Sequence, residues 1–232
     1  MKKYELTAEF IEKWGKKLFR IKALISFGSV EAGELGGYVE KEDNLAQDGD
    51  AWVYGDARVY GDARVYGDAR VCGNAEVYGD ARVYGDARVC GNAEVYGDAR
   101  VCGNAEVYGN ARVYGNARVC GDARVYGDAD YLLIGRIGSR FSFTTFFKNK
   151  DQGITVSCGC FLGTIAEFRA KVTDTHGNNK HAKMYNLAAD MAELQILGEE
   201  HFDKLNTNKS EPSRPRKTTA PTCRKQRWIK EF

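Results

Sequence analysis

With 232 residues, 43% hydrophobic and 28% charged, the chain has the composition of a soluble globular protein and not of a disordered segment. A formal net charge of +2 excludes neither acidic nor basic partners, because the charges are unevenly placed. No run approaches the roughly 18 apolar residues of a membrane helix. The seven cysteines lack the spacing of a secreted disulfide framework, so a cytoplasmic protein without membrane contact is expected.

The first 50 residues read as an N-terminal α/β cap. They open Met1-Lys2-Lys3-Tyr4-Glu5-Leu6 and run into Glu9 and Glu12 with no apolar segment of signal-peptide type. Thr7 stands where it caps a short helix over residues 8–14. Residues 17–26 alternate as a strand, with Phe19 and Ile21 on one side. Gly33, Gly36 and Gly37 then mark a tight turn.

From Val53 to Asp130 the chain reads Val-(Tyr/Cys)-Gly-(Asp/Asn)-Ala-(Arg/Glu/Asp) thirteen times without an insertion. A fixed short period signals a solenoid, assigned here to residues 51–135. Ala-Arg-Val-Tyr makes a strand in which Ala and Val point inward while Arg and Tyr point outward. Glycine permits the backbone angles of the corner, and the Asp or Asn beside it bonds nearby donors. With three hexads per coil, residues 18 apart stack in columns. The substitutions agree: Cys72 and Cys90 are 18 apart, as are Cys102 and Cys120, and Tyr60, Tyr78, Tyr96 and Tyr114 recur at that interval.

Three faces follow. One pairs the tyrosine column with Arg58, Glu76, Glu94 and Arg112. The second stacks Arg64, Arg82, Arg100 and Arg118 beside Tyr66, Tyr84, Cys102 and Cys120. The third carries Trp52, Arg70, Arg88, Glu106 and Arg124.

Residues 136–202 read as a small ββαα unit. Strands over residues 141–148 and 154–161 are joined by Asn149-Lys150-Asp151-Gln152-Gly153. Thr164 and Glu167 form a capping box that opens a helix, and Gly177 stops it. A second helix runs from about Asn179 to Leu197, with Met184, Leu187, Ala188, Met191, Leu194 and Ile196 roughly on its packing side. From Asp203 onward, nine Lys or Arg against three acids, with all three prolines, give a flexible basic tail over residues 203–232. Such a tail suits nucleic acid or an acidic partner.

The hexad, an aliphatic residue followed by loosely specified positions and a small one, resembles the motif of hexapeptide-repeat, left-handed β-helix proteins. The runs Phe19-Arg20-Ile21-Lys22-Ala23-Leu24, Ala32-Gly33-Glu34-Leu35-Gly36-Gly37-Tyr38-Val39-Glu40 and Gln47-Asp48-Gly49-Asp50-Ala51-Trp52-Val53-Tyr54 resemble the leader of uncharacterised members in bacterial and prophage genomes. That resemblance spans roughly residues 17 to 130. The stretch from Gly138-Ser139-Arg140 through Cys158-Gly159-Cys160-Phe161 to His176-Gly177 is similar to a tail module of phage-type proteins. These resemblances imply a mainly β fold: a left-handed parallel β-helix, three hexads per coil, with the two end units described above. They carry no functional residues across.

Candidate chemistry is sparse. Many hexapeptide β-helix proteins are acyltransferases with a histidine base, but no histidine occurs before His176 and no loop interrupts the repeats, which leaves only a site formed between subunits. Cys158, Cys160, His176 and His181 supply zinc-ligand types, though at an uncommon spacing, against the alternative of cysteines acting as small buried hydrophobes. The stacked cysteine pairs suit disulfide geometry but are expected to stay as thiols in a reducing cytoplasm. Arg64, Arg82, Arg100 and Arg118 repel one another in register, a cost that an anion relieves and that Asp62, Asp80 and Asp98 partly offset. Tyr60, Tyr78, Tyr96 and Tyr114 form an aromatic strip suited to self-association as a dimer or trimer.

The reading is therefore a non-enzymatic binding or scaffold protein of prophage type, homo-oligomeric and without a cofactor. Two alternatives accompany it. One is a phage antagonist of host defence that sequesters an anionic nucleotide or a host enzyme. The other is an acyltransferase with an inter-subunit site.

Overall fold

Each hexad commits its smallest residue and its most β-favouring residue to the inside. In the computed structural model, which describes residues 2–203, every Ala and Val of the repeat from Ala51 to Val125 is buried. The basic tail lies outside the described residues, apart from Asp203. The repeat's charged and aromatic outward residues leave the interior to a column of methyl and isopropyl groups, so the core of the solenoid is apolar and nearly uniform in section.

The hexads form thirteen two-residue strands, β4 to β16, spaced six residues apart from Trp52–Val53 to Arg124–Val125. Strands are shorter than the four residues expected because the chain leaves the ladder at each corner. At Gly85, for example, φ is +72°, and an added Cβ would meet the backbone nitrogen of Gly103 one coil on at 3.0 Å. Pairing is parallel between hexads 18 residues apart, as with Arg58 against Glu76 and Val59 against Val77. In each hexad N–H groups donate to carbonyls of the following coil, such as Arg58 N to Ala75 O at 2.9 Å and Tyr60 N to Val77 O at 3.0 Å.

This polarity gives the two ends opposite needs. The first coil leaves carbonyls of this kind without a preceding coil, and the last leaves the matching N–H groups without a following one. Donors close the first end. Lys3 Nζ, buried, donates to the carbonyls of Asp48 (3.3 Å), Gly49 (3.2 Å) and Ala51 (3.0 Å). Asn44 Nδ2 donates to the carbonyls of Gly61 (3.0 Å) and Ala63 (2.8 Å). Acceptors close the other end: Thr145 Oγ1 takes the Arg118 N–H at 3.0 Å, and Asp128 Oδ1 takes that of Arg112 at 2.8 Å.

The N-terminal cap is built of strands. Residues 8–14, expected as a helix, belong to β1 (Tyr4–Lys13), which pairs antiparallel with β2 (Lys16–Ala23). Trp14 and Gly15 between them both have positive φ, 53° and 75°, the signature of a two-residue hairpin turn. Thr7 does not cap a helix; its hydroxyl accepts only the N–H of Glu9, at 3.2 Å. β2 then pairs with β3 (Leu35–Val39), and β3 lies parallel to the Arg58–Val59 strand. The hairpin thus extends one face of the solenoid into a seven-stranded sheet. Trp52, read from the sequence as outward, is fully buried here, edge-on beneath Tyr4 and Phe27.

The C-terminal unit has two more strands than expected. β17 (Tyr131–Ile137), β18 (Ser142–Lys148), β19 (Ile154–Cys158) and β20 (Phe161–Thr164) form an antiparallel meander, followed by α1 (Ile165–His176) and α2 (Lys180–Leu197). The Thr164/Glu167 capping box opens α1, and Asn179 caps α2. Strand alternation divides two adjacent phenylalanines between two cores. Phe147 plugs the last coil, while Phe146 packs edge-on against Phe168 of α1.

The packing side of α2 differs from the one expected. Ala182, Tyr185, Ala188, Ala189, Ala192 and Ile196 are buried, whereas Met184, Leu187, Met191 and Leu194 face solvent. Small alanines allow close approach to the sheet and to α1. Arg169 of α1 fixes the rotation further, bonding Asp190 and the buried Glu193, each at 2.7 Å.

Candidate functional site: the arginine face

The strands bearing Arg64, Arg82, Arg100 and Arg118 form a four-stranded ladder in which each arginine pairs in register with the next. On the other two faces arginine also meets glutamate, Arg58 with Glu76 at 2.9 Å, Arg112 with Glu94 at 3.6 Å and Arg124 with Glu106 at 3.6 Å, although Arg70 and Arg88 pair in register with each other. On this face, among the described residues, no carboxylate lies within 4.0 Å of any of the four guanidinium groups. Asp62, expected to offset the column in part, is bonded to Lys41 at 2.7 Å while still attracted by Arg64. Arg118 reaches the carbonyl of Gly159 in the C-terminal unit at 3.3 Å.

Beside the arginines, Tyr66 and Tyr84 stack with ring centroids 5.0 Å apart and planes 2° from parallel. Partial burial, with Tyr84 alongside, raises the Tyr66 phenol above its ordinary pKa, against the pull of Arg82, Arg100 and Arg64. The Tyr66 ring is therefore a neutral stacking surface at physiological pH. Where the chain enters the first coil, a 3-10 turn over Glu42–Asn44 and the following Leu45, Ala46 and Gln47 stand over this ladder. A cavity of about 410 Å³ lies between them, walled on the repeat side by Arg64, Tyr66 and Arg82. Of the two acids at its rim, Glu42 is paired with Lys2 at 2.7 Å. Sequence spacing predicts the column; the cavity over it depends on where the N-terminal cap folds back.

The tyrosine column stacks as the 18-residue interval requires, with centroids 5.1, 4.9 and 5.5 Å apart from Tyr60 through Tyr78 and Tyr96 to Tyr114. Much of it is occupied within the chain. Tyr60 is buried with Leu18 and Tyr38 of the cap, and Tyr131 stands edge-on to Tyr114. The Tyr60 and Tyr78 hydroxyls donate to Glu76 (3.1 Å) and Glu94 (3.2 Å). Tyr114, 48% exposed, offers the most surface to a partner.

The four zinc-ligand candidates do not converge. Cys158 accepts a bond from the Thr144 hydroxyl at 3.2 Å, Cys160 is exposed at the β19–β20 turn, and the rings of His176 and His181 lie 5.8 Å apart. Among the described residues, no group of three or more His, Cys, Asp or Glu is placed to hold a metal ion. The spacing fails because Cys160 follows the Gly159 turn and leaves the strand that carries Cys158. His176 stacks on Tyr185. The expectation of free thiols in the repeats is also overturned. Cys72–Cys90 and Cys102–Cys120 are disulfide-bonded, with Cα atoms 4.5 and 4.6 Å apart, because the coil repeat brings each pair into adjacent register.

The continuous parallel ladders, the buried Ala/Val interior and the ladder-end caps define a repeat β-helix protein, a β-solenoid. Within it, nine overlapping windows between residues 51 and 129 match the family model described as YdcK Beta solenoid repeat, which covers about a third of the chain. No curated protein gives a significant match. Among the described residues, no helix is long and apolar enough to cross a membrane.

Proposed function

We propose that the chain is a non-catalytic binding scaffold whose arginine face holds an anionic partner, with a ring-bearing anion of the nucleotide class as the best fit. The observation that carries this reading is the column Arg64, Arg82, Arg100 and Arg118, in register and without a carboxylate within 4.0 Å. Arginine presents a planar fork that matches phosphate oxygens two at a time, and a stack of forks repels itself until an anion lies across it. Tyr66 and Tyr84 supply the flat surface for a base, and the cavity of about 410 Å³ beneath residues 45–47 has the size of a small-molecule site.

The test is isothermal titration with ATP and with inorganic tripolyphosphate. Binding of both, tighter for ATP, with a roughly tenfold loss in Arg82→Gln (about 1.4 kcal/mol), supports the reading. Binding that is indifferent to Arg82→Gln, or absent for both probes at millimolar concentration, overturns it.

A further inference from the structure

Helix α2 carries two apolar stripes. The inner one, Ala182, Tyr185, Ala189, Ala192 and Ile196, packs on β17, β18 and α1. The outer one consists of Met184, Leu187, Met191 and Leu194, which are 40, 64, 57 and 45% exposed. At about 100° per residue the two stripes lie on nearly opposite sides of the helix. Outer residues are spaced three, four and three apart, the 3.5-residue period of a coiled-coil seam. Four large apolar side chains held in that period on a solvent face form the kind of contiguous patch that marks an interface.

We propose that this seam is a dimer interface in which α2 pairs antiparallel with α2 of a second copy. The charges around it choose the occupant and the direction. Lys180 and Lys183, both exposed, stand in the first turn, where no acid is present to complement the positive end of the helix dipole. Glu199 and Glu200, also exposed, follow the C-terminal end. A two-fold axis through the middle of the seam sets Met184 against Leu194 of the second copy and Leu187 against its Met191. It also brings the lysine end of each helix to the glutamate end of the other. A parallel pair would place like charge on like. The arrangement has an apolar centre and a charged rim, as a stable interface requires, and it is independent of the arginine face.

The test is sedimentation equilibrium of the full chain at micromolar to high-micromolar concentration, with far-ultraviolet circular dichroism and urea midpoint as controls for folding. The expected species is twice the 25.8 kDa chain mass. Leu187→Lys, at a solvent-facing position, keeps the spectrum and, at dilutions where both chains are monomeric, the midpoint, but weakens dimerisation roughly a hundredfold. Lys180→Glu with Lys183→Glu weakens it severalfold, and adding Glu199→Lys with Glu200→Lys to the same chain restores it. A monomer throughout the range, a larger assembly indifferent to Leu187→Lys, or failure of the charge swap to restore pairing overturns the proposal.

Discussion

Gly85→Ala tests the corner that lets one hexad follow another. Two costs add there. The residue sits at φ +72°, where an L side chain is disfavoured by about 1–2 kcal/mol. Its new Cβ would also stand 3.0 Å from the Gly103 nitrogen, against backbone that is itself fixed in the ladder. Relief requires the coils to separate locally, and overpacking of this kind costs about 1–3 kcal/mol. Gly33→Ala is the control: φ is +92°, but nothing lies within 4 Å of the added atom, so it carries only the conformational cost. Urea unfolding followed by far-ultraviolet circular dichroism should therefore show Gly85→Ala less stable than Gly33→Ala by about 1–3 kcal/mol. Equal losses would refute the steric part of the reasoning and leave the corner as a matter of backbone conformation alone.

Two further outcomes concern the staples and the cap. Each disulfide joins residues 18 apart, so closing that loop in the unfolded chain should stabilise the protein by about 3 kcal/mol. Cys102→Ser should lower the urea midpoint under non-reducing conditions and make it less sensitive to reductant, whereas a wild-type midpoint unmoved by reductant would contradict the bonded state. Glu76 joins the cap to the solenoid by accepting from Lys13, Arg58 and Tyr60. Burial pushes its carboxyl pKa up, but these donors outweigh burial and hold it below the usual carboxylate range. A depressed folded pKa contributes stability that is present above the unfolded value of about 4.3 and lost as pH falls through the folded one. Wild-type stability should thus fall more steeply below about pH 5 than that of Glu76→Gln, and parallel slopes would count against this role.

The solenoid was legible in the sequence because its physics is local and repeated. A six-residue period, a glycine at every corner and Ala/Val alternation fix strand, corner and interior together. The 18-residue spacing of Cys72 with Cys90 and of Tyr60 with Tyr78 fixes the stacking. The first α-helix was legible from its capping residues and the second from its apolar periodicity. The repeat spacing also put Arg64, Arg82, Arg100 and Arg118 in one column. It did not reveal that no carboxylate stands within 4.0 Å of them or that a cavity lies beside the first two, since these depend on Lys41 bonding Asp62 and on residues 42–47 folding against the first arginine strand.

What only the tertiary structure decided lies where local preference is balanced. Residues 4–13 suit a strand as well as a helix, and the parallel edge of the Arg58–Val59 strand, open to β3 and through it to the hairpin, settled the matter. Among the side chains that close the ends, Lys3 and Thr145 find partners 45 or more and 27 residues away, so no periodicity announces them. In α2 both faces are apolar, and composition favours burying the larger residues. The alanine face went inward because it fits closely against the sheet and because Arg169 holds Asp190 and Glu193 beside it, leaving Met184, Leu187, Met191 and Leu194 outside.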